Sequence, residues 1–166
     1  MTIHDRLPFV EQDGLITPEV GEWGQEKYLR VWYYDCLFST GMKERWPTRV
    51  YIDLFAGAGM SRLRSSGRLA PGSPLLALQV PDPFDKYIFC EQDNVKMLAL
   101  KQRVERIAPH ADVSFVSGDV NSRVDIVESH IPKGKGVLSF ASSIRTRCGS
   151  GSTLWSVLRP IGPWTS

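Results

Sequence analysis

The residues best suited to chemistry follow a short run of β-branched and aromatic residues at positions 49–55. Gly57 and Gly59 come directly after this run, and Asp53 precedes the first glycine by four residues. Glycines at a strand exit let the backbone approach a ligand closely, since no side chain intervenes. The alternative is that the two glycines serve only the backbone, because a tight turn with positive φ after a strand would also require glycine. Arg62 stands where a dinucleotide site has its third glycine, which argues against a pyrophosphate cradle.

Two further acids follow later apolar runs. Glu91 ends the run at 86–91, where a carboxylate can accept hydrogen bonds from ribose hydroxyls. Asp119 follows the run at 113–116, where it can accept a hydrogen bond from an exocyclic amine such as adenine N6. Plainer roles for the two residues are a surface acid and a helix N-cap. Together with the glycine turn, these acids favour a nucleoside ligand without a pyrophosphate and so indicate S-adenosylmethionine as a cofactor.

These residues need a sheet that brings the ends of separate strands together. The pattern predicts four strands, at 49–55, 86–91, 113–116 and 136–140. Helices are predicted to begin at the capping residues Thr17, Ser73, Asp93 and Asn121. Because strands that alternate with helices form a parallel sheet covered by helices, the predicted fold class is α/β and Rossmann-like. Ligands of such sheets bind beyond the carboxyl ends of the strands, which is where the glycines and acids lie.

Local patterns give three finer expectations. The leading helix is expected to run from Thr17 to about Phe38 and to close at Gly41. Residues 60–72 are expected to form a loop. Its three arginines, at 62, 64 and 68, favour a solvated loop, with a nucleic acid backbone as the alternative partner. In the third helix the inward positions are expected to be Val95, Leu98, Val104 and Ile107.

The chain resembles the class I methyltransferases and, more closely, the three-Cys-motif partner family, TcmP. The resemblance extends from about residue 22 to residue 140 and depends on the combination of segments rather than on any one of them. The segments that carry it are Trp23 with Lys27, Y-I-D-L-F-A-G-A-G at 51–59, G-S-P-L-L-A-L at 72–78, F-D-K-Y at 84–87 leading to Glu91, and G-D-V-N at 118–121.

The resemblance implies a Rossmann-like methyltransferase domain that binds S-adenosylmethionine. Its first motif, Asp-x-Phe-x-Gly-x-Gly, corresponds here to Asp53, Phe55, Gly57 and Gly59, and Glu91 and Asp119 complete the implied cofactor-binding set. A protein bearing the three-cysteine motif is the implied partner. No methyl acceptor and no catalytic residue are implied.

The chain departs from the family after Phe140. The family continues into an Asp-Pro-Tyr motif, whereas this chain has Ala141-Ser142-Ser143-Ile144 and no acidic residue after Glu128. One added nucleotide after Ala141 permits a reading of the last segment that contains Asp-Pro-Tyr. We therefore expect a truncated or frameshifted chain, with an irregular arm at 1–16, an incomplete methyltransferase-like domain at 17–141 and a non-native or disordered basic tail at 142–166.

Little or no turnover is expected from such an incomplete domain, whose fourth strand would be an unpaired edge prone to aggregation. The alternatives to an enzyme are a non-catalytic nucleoside-binding or partner-binding module and the product of a disrupted gene. The composition, with 42% hydrophobic and 23% charged residues and a net charge of +2, is that of a globular domain. Three widely spaced cysteines without metal-ligand spacing indicate a reducing, cytoplasmic setting and no metal site, and no membrane segment is expected.

Overall fold

The computed structural model describes residues 12–142, except for the side chains of Glu22, Trp23 and Gln25. The expected basic tail, apart from Ser142, and the first part of the expected N-terminal arm lie outside the described residues. The elements in chain order are β1 (Glu19–Val20), α1 (Glu22–Met42), β2 (Thr48–Asp53), β3 (Met60–Leu63), β4 (Leu69–Pro71), α2 (Ser73–Ala77), β5 (Lys86–Glu91), α3 (Asn94–Ile107), β6 (Val113–Ser117), α4 (Val120–Ser129) and β7 (Val137–Ser142).

The main sheet has four strands in the order β6-β5-β2-β7, and every neighbouring pair is parallel. β2 is the first strand of this sheet along the chain, yet it lies inside the sheet. The next two strands, β5 and β6, are added on one side of it and β7 is added on the other side, so the order of strand addition reverses beside β2. The predicted α/β fold with a parallel sheet and flanking helices is confirmed. In this register Asp53, at the end of β2, lies between Phe89 of β5 and Ser142 of β7.

Both faces of the main sheet are covered, as a parallel sheet requires. One face carries the aromatic side chains of Tyr51, Phe89 and Phe140, and helices α1, α2 and α3 pack on it. The opposite face carries smaller aliphatic residues, which pack with Val127 of α4. Buried residues on both sides of the strands explain why the strands are continuous apolar runs instead of alternating polar and apolar residues.

A second, smaller sheet was not predicted. Residues 60–72, expected to be a loop, contain the antiparallel strands β3 and β4, and β1 adds to β3 in parallel. Thr17 therefore does not begin a helix, and α1 begins at Glu22 after Gly21. The pairing that overrides the local helix signal is between backbones: Pro18 and Val20 accept hydrogen bonds from the backbone N–H groups of Arg62 and Arg64.

The buried face of α3 also differs from the expected one. Of the four apolar residues predicted to point inward, Val104 alone is buried. Val95 and Leu98 are each 59% exposed, and Ile107 is 44% exposed. The helix instead buries Met97, Ala99, Leu100 and Arg103. Hydropathy could not predict this face, because a charged side chain occupies part of it.

Candidate functional site

The turn after β2 has the backbone geometry that its two glycines suggested. Gly57 has φ +66° and Gly59 has φ +82°, both in the left-handed region that favours glycine. The turn is held from two sides, since Ala56 N–H donates to the carbonyl of Cys90 and Gly72 N–H donates to the carbonyl of Gly59. The need for positive φ is therefore confirmed at both positions.

The two glycines should differ in their tolerance of a side chain. A Cβ at Gly59 would lie 2.9 Å from Cδ1 of Leu100 and 3.3 Å from Cγ of Leu75, whereas a Cβ at Gly57 would meet nothing within 4 Å. We expect Gly57→Ala to cost about 1 kcal/mol of unfolding free energy, from backbone strain alone. Gly59→Ala should cost about 2 kcal/mol, because crowding adds to the same strain. Urea unfolding of the two variants checks this order, and equal losses would contradict it.

Glu91 connects this turn to the start of α3. Its Oε2 atom accepts the Gly57 N–H at 2.8 Å, and its Oε1 atom accepts the Asp93 N–H at 2.9 Å. The carboxylate is half-buried, so it lies at the glycine turn without being enclosed. Asp93 caps α3 through Val95 and Lys96, as predicted. The predicted ribose contact of Glu91 stays a prediction, but the acid and the glycine turn are in direct contact.

Asp119 lies on the loop that follows β6. Its Oδ1 atom accepts hydrogen bonds from both the backbone and the side-chain nitrogen of Asn121, at 2.9 and 3.0 Å. The N-cap of α4 is therefore Asp119, and the prediction that Asn121 caps this helix is wrong. The loop adjoins the end of β5, because Gly118 N–H donates to the carbonyl of Glu91. An adenine contact by the exposed Asp119 carboxylate stays a prediction.

Asp53 lies beneath the glycine turn and is fully buried. Its Oδ1 atom accepts the backbone N–H of the half-buried Phe55 at 3.1 Å. Burial raises the pKa of Asp53 to about 6, and the charge of Glu91 adds to this effect. Hydrogen bonds from the Ser73 hydroxyl and the Phe55 N–H oppose it. Asp53 thus supports the turn from inside the domain and does not face solvent.

Sequence reasoning missed Arg103, a buried residue that supports the same turn. Its guanidinium donates to the carbonyls of Ala58 and Ile16, to the Thr17 hydroxyl and, with two nitrogens, to the carboxylate of Asp13. The segment before β1 is thereby fastened to α3 and to the glycine turn. No local pattern signals this role, because the partners lie up to 90 residues away along the chain.

The other basic residues singled out by sequence have no described contact with the glycine turn. Arg62 donates to the carbonyl of Gly67 within its own hairpin, and Arg64 lies 3.7 Å from the carboxylate of Glu19. These contacts give Arg62 and Arg64 partners around the small sheet, and the nucleic acid alternative stays a prediction. Lys27 is half-buried, and burial lowers its pKa. Nothing is described of the Trp23 side chain.

The described part of the chain holds no group of three or more His, Cys, Asp or Glu side chains arranged around a metal ion. None of its helices is long and apolar enough to cross a bilayer. Comparison with known proteins found no matching family model, no matching curated protein and no matching solved structure. The argument for function therefore depends on the geometry of the glycine turn and its acids.

Proposed function

We propose that the carboxyl edge of the main sheet is a nucleoside site of the methyltransferase type, which takes S-adenosylmethionine. The observation that carries the proposal is the hydrogen bond from Gly57 N–H to Glu91. It places an open backbone turn and a half-buried carboxylate side by side beyond two adjacent parallel strands, where ligands of such sheets bind. The resemblance to the TcmP family supports the same cofactor.

Each residue of the site has a distinct task in this proposal. Gly57, with open space where a Cβ would be, admits the ligand close to the backbone. Glu91 accepts hydrogen bonds from the ribose hydroxyls through lone pairs that its two backbone donors do not use. Asp119 accepts from the adenine amine. Methyl transfer would then require mainly the alignment of an acceptor with the sulfonium, and none of the described residues is assigned as a catalytic base.

The second candidate is a non-catalytic nucleoside-binding or partner-binding module in the cytoplasm, with a three-Cys-motif protein as its partner. The observation that favours it is the sequence after β7, where the chain lacks the Asp-Pro-Tyr expected of an amino-methylating enzyme. Both candidates bind the nucleoside, so turnover distinguishes them. Transfer of a labelled methyl group from S-adenosylmethionine to any acceptor supports the enzyme.

Calorimetric titration with S-adenosylhomocysteine tests the nucleoside site. We expect one binding event in the unsubstituted protein and an affinity loss of about tenfold or more in Glu91→Ala, because the ribose loses a charged acceptor. Glu91→Gln keeps a carbonyl oxygen for the Gly57 N–H and should lose less. Glu105→Ala is the matched control, since Glu105 is exposed and lies about three helical turns along α3 from the end of the helix that Glu91 contacts. Unchanged binding by Glu91→Ala would sink the ribose assignment.

A further inference from the structure

The outward side of α1 carries an apolar surface. Its three large side chains, Tyr33, Tyr34 and Leu37, are 59%, 51% and 53% exposed. Residues 31–42 include one charged residue, Asp35, which lies on the opposite side of the helix and is fully buried. The outward side is therefore uncharged over about three helical turns. Contiguous exposed apolar surface of this kind marks a binding site for another molecule.

The same side chains form part of a groove. It is open to solvent and has a volume of about 360 Å³. The residues that line it are Tyr33, Cys36, Leu37, Thr40 and Gly41. A Cβ on Gly41 would meet nothing within 4 Å, so the surface is low at this point and has room for the side chain of a partner. We call these residues, together with Tyr34, the α1 patch.

Opposite charges stand at the two ends of the α1 patch. Arg30 and Glu44 are each seven residues from Leu37, which is about two helical turns, so both share its side of the helix. The Arg30 side chain is 69% exposed, and Glu44 is exposed in the turn that continues past α1. That turn is closed by the Trp46 N–H, which donates to the carbonyl of Met42 at 3.0 Å. The surface is thus apolar at its centre, basic at one end and acidic at the other.

Two neighbouring charges are engaged within the chain. Glu26, one turn before Arg30, contacts one nitrogen of the Arg30 guanidinium, which has further N–H donors. Lys43, beside Glu44, donates to the Asp82 carboxylate at 2.7 Å. Both contacts leave Arg30 and Glu44 accessible to a partner.

We propose that the α1 patch joins two copies of this chain, with their α1 helices antiparallel about a two-fold axis at Leu37. Each residue then faces the residue that lies equally far from Leu37 in the other direction. Tyr33 faces Gly41 of the second copy, a large side chain against a small one, and Arg30 faces Glu44 at both ends. A parallel pair would place like charges together. The patch and its flanking charges are their own complement in size and charge, which is why a second copy is the occupant that we assign.

This interface leaves the candidate nucleoside site open. Ser39, two residues after Leu37, accepts a hydrogen bond from the Arg49 side chain at the start of β2. The α1 patch therefore lies toward the amino end of the main sheet, whereas the glycine turn follows its carboxyl end. The inference does not depend on the nucleoside, since no residue of that site contributes to the patch.

Sedimentation equilibrium of the full chain over a range of concentrations tests the dimer. We expect twice the monomer mass at high protein concentration. In Arg30→Glu the dissociation constant should rise about tenfold or more, because two carboxylates then face each other at each end. Glu44→Arg should have a similar effect. The double variant Arg30→Glu/Glu44→Arg brings opposite charges together again and should dimerise like the unsubstituted protein. Arg106→Glu, which reverses an exposed arginine of α3, is the matched control and should leave the dimer unchanged.

A cysteine at the two-fold axis provides a second readout. Packed helix axes about 8–10 Å apart bring facing Cα atoms to within about 6 Å, which a disulfide can span. Leu37→Cys should therefore form a covalent dimer on mild oxidation that the unsubstituted protein does not form, and Gln102→Cys on the exposed side of α3 should not. A monomer at the highest soluble concentration, as expected if another part of the chain or a different protein covers the patch, overturns the proposal. So does a dimer that Arg30→Glu leaves intact or that the double variant does not restore.

Discussion

Replacing Arg103 by alanine is expected to lower the free energy of unfolding by about 3–5 kcal/mol, the largest effect of any single change we predict. Arg103 is 2% exposed, and its ion pair with Asp13, at 2.7 Å, is almost enclosed. Removing the guanidinium leaves the half-buried Asp13 carboxylate, whose side chain is 13% exposed, without a counter-charge. It also removes the donors to the carbonyls of Ile16 and Ala58, which would then be left unpaired.

The pKa of Asp13 gives this prediction a second readout. The Arg103 hydrogen bond holds the pKa of Asp13 below its usual value. The pair therefore stabilises the fold at any pH above the usual pKa of an aspartate. This stabilisation is lost as the pH falls through the lowered pKa. In Arg103→Ala this acid-side loss should disappear. Urea unfolding of both proteins between acid and neutral pH measures it.

Control variants separate the ion pair from a general effect on α3. Arg106→Ala changes an exposed arginine of the same helix and should alter the stability by less than about 0.5 kcal/mol. The double variant Asp13→Ala/Arg103→Ala should recover part of the loss, since neither charge is then left alone. A loss below about 1 kcal/mol in Arg103→Ala would contradict the enclosed ion pair.

The strands of the main sheet could be predicted from sequence because their signal is local. The run Lys86–Glu91 has the predicted bounds, and the other three strands differ from prediction by one or two residues. Residues of these strands are buried on both faces, so a short apolar run identifies each of them. The placement of Gly57 beside Glu91 followed as well, because parallel strands bring their carboxyl ends to one edge.

The small sheet could not be predicted, because its stability comes from pairing between distant segments. Thr17-Pro18 is a good helix start in isolation, yet the backbone around it pairs with β3, more than 40 residues later. The hairpin of β3 and β4 is short and carries arginines, so its pattern resembled a solvated loop. Tertiary contacts overrode local preference in both cases.

Charged residues inside the domain could not be predicted either, and one of them explains the wrong face of α3. Asp35, in the middle of α1, would ordinarily occupy an exposed helix face, and Arg103 on α3 would too. Both are buried. Arg103 is paired with groups from other segments of the chain, whereas the carboxylate oxygens of Asp35 have no hydrogen-bond partner among the described residues. A sequence pattern records the type of a residue and not its partners, so polar side chains within a core are outside its reach.

Asp53 should make the protein less stable as the pH rises from 4 to 7. Its pKa is about 6 in the folded state and near 3.8 when unfolded, so the folded protein holds a proton that the unfolded chain has released. The stability that this proton provides is complete below the unfolded pKa and is lost as the pH rises through 6. A difference of about two pKa units corresponds to about 3 kcal/mol.

The variant Asp53→Asn isolates this effect, because an amide has no proton to lose and its oxygen can still accept the Phe55 N–H. Relative to the unsubstituted protein, Asp53→Asn should gain about 2 kcal/mol of unfolding free energy between pH 4 and pH 7, since part of the full effect lies below pH 4. Urea unfolding of both proteins at several pH values between 4 and 7 measures the gain. A constant difference across this range would mean that Asp53 is not enclosed as described, and its role beneath the glycine turn would need another explanation.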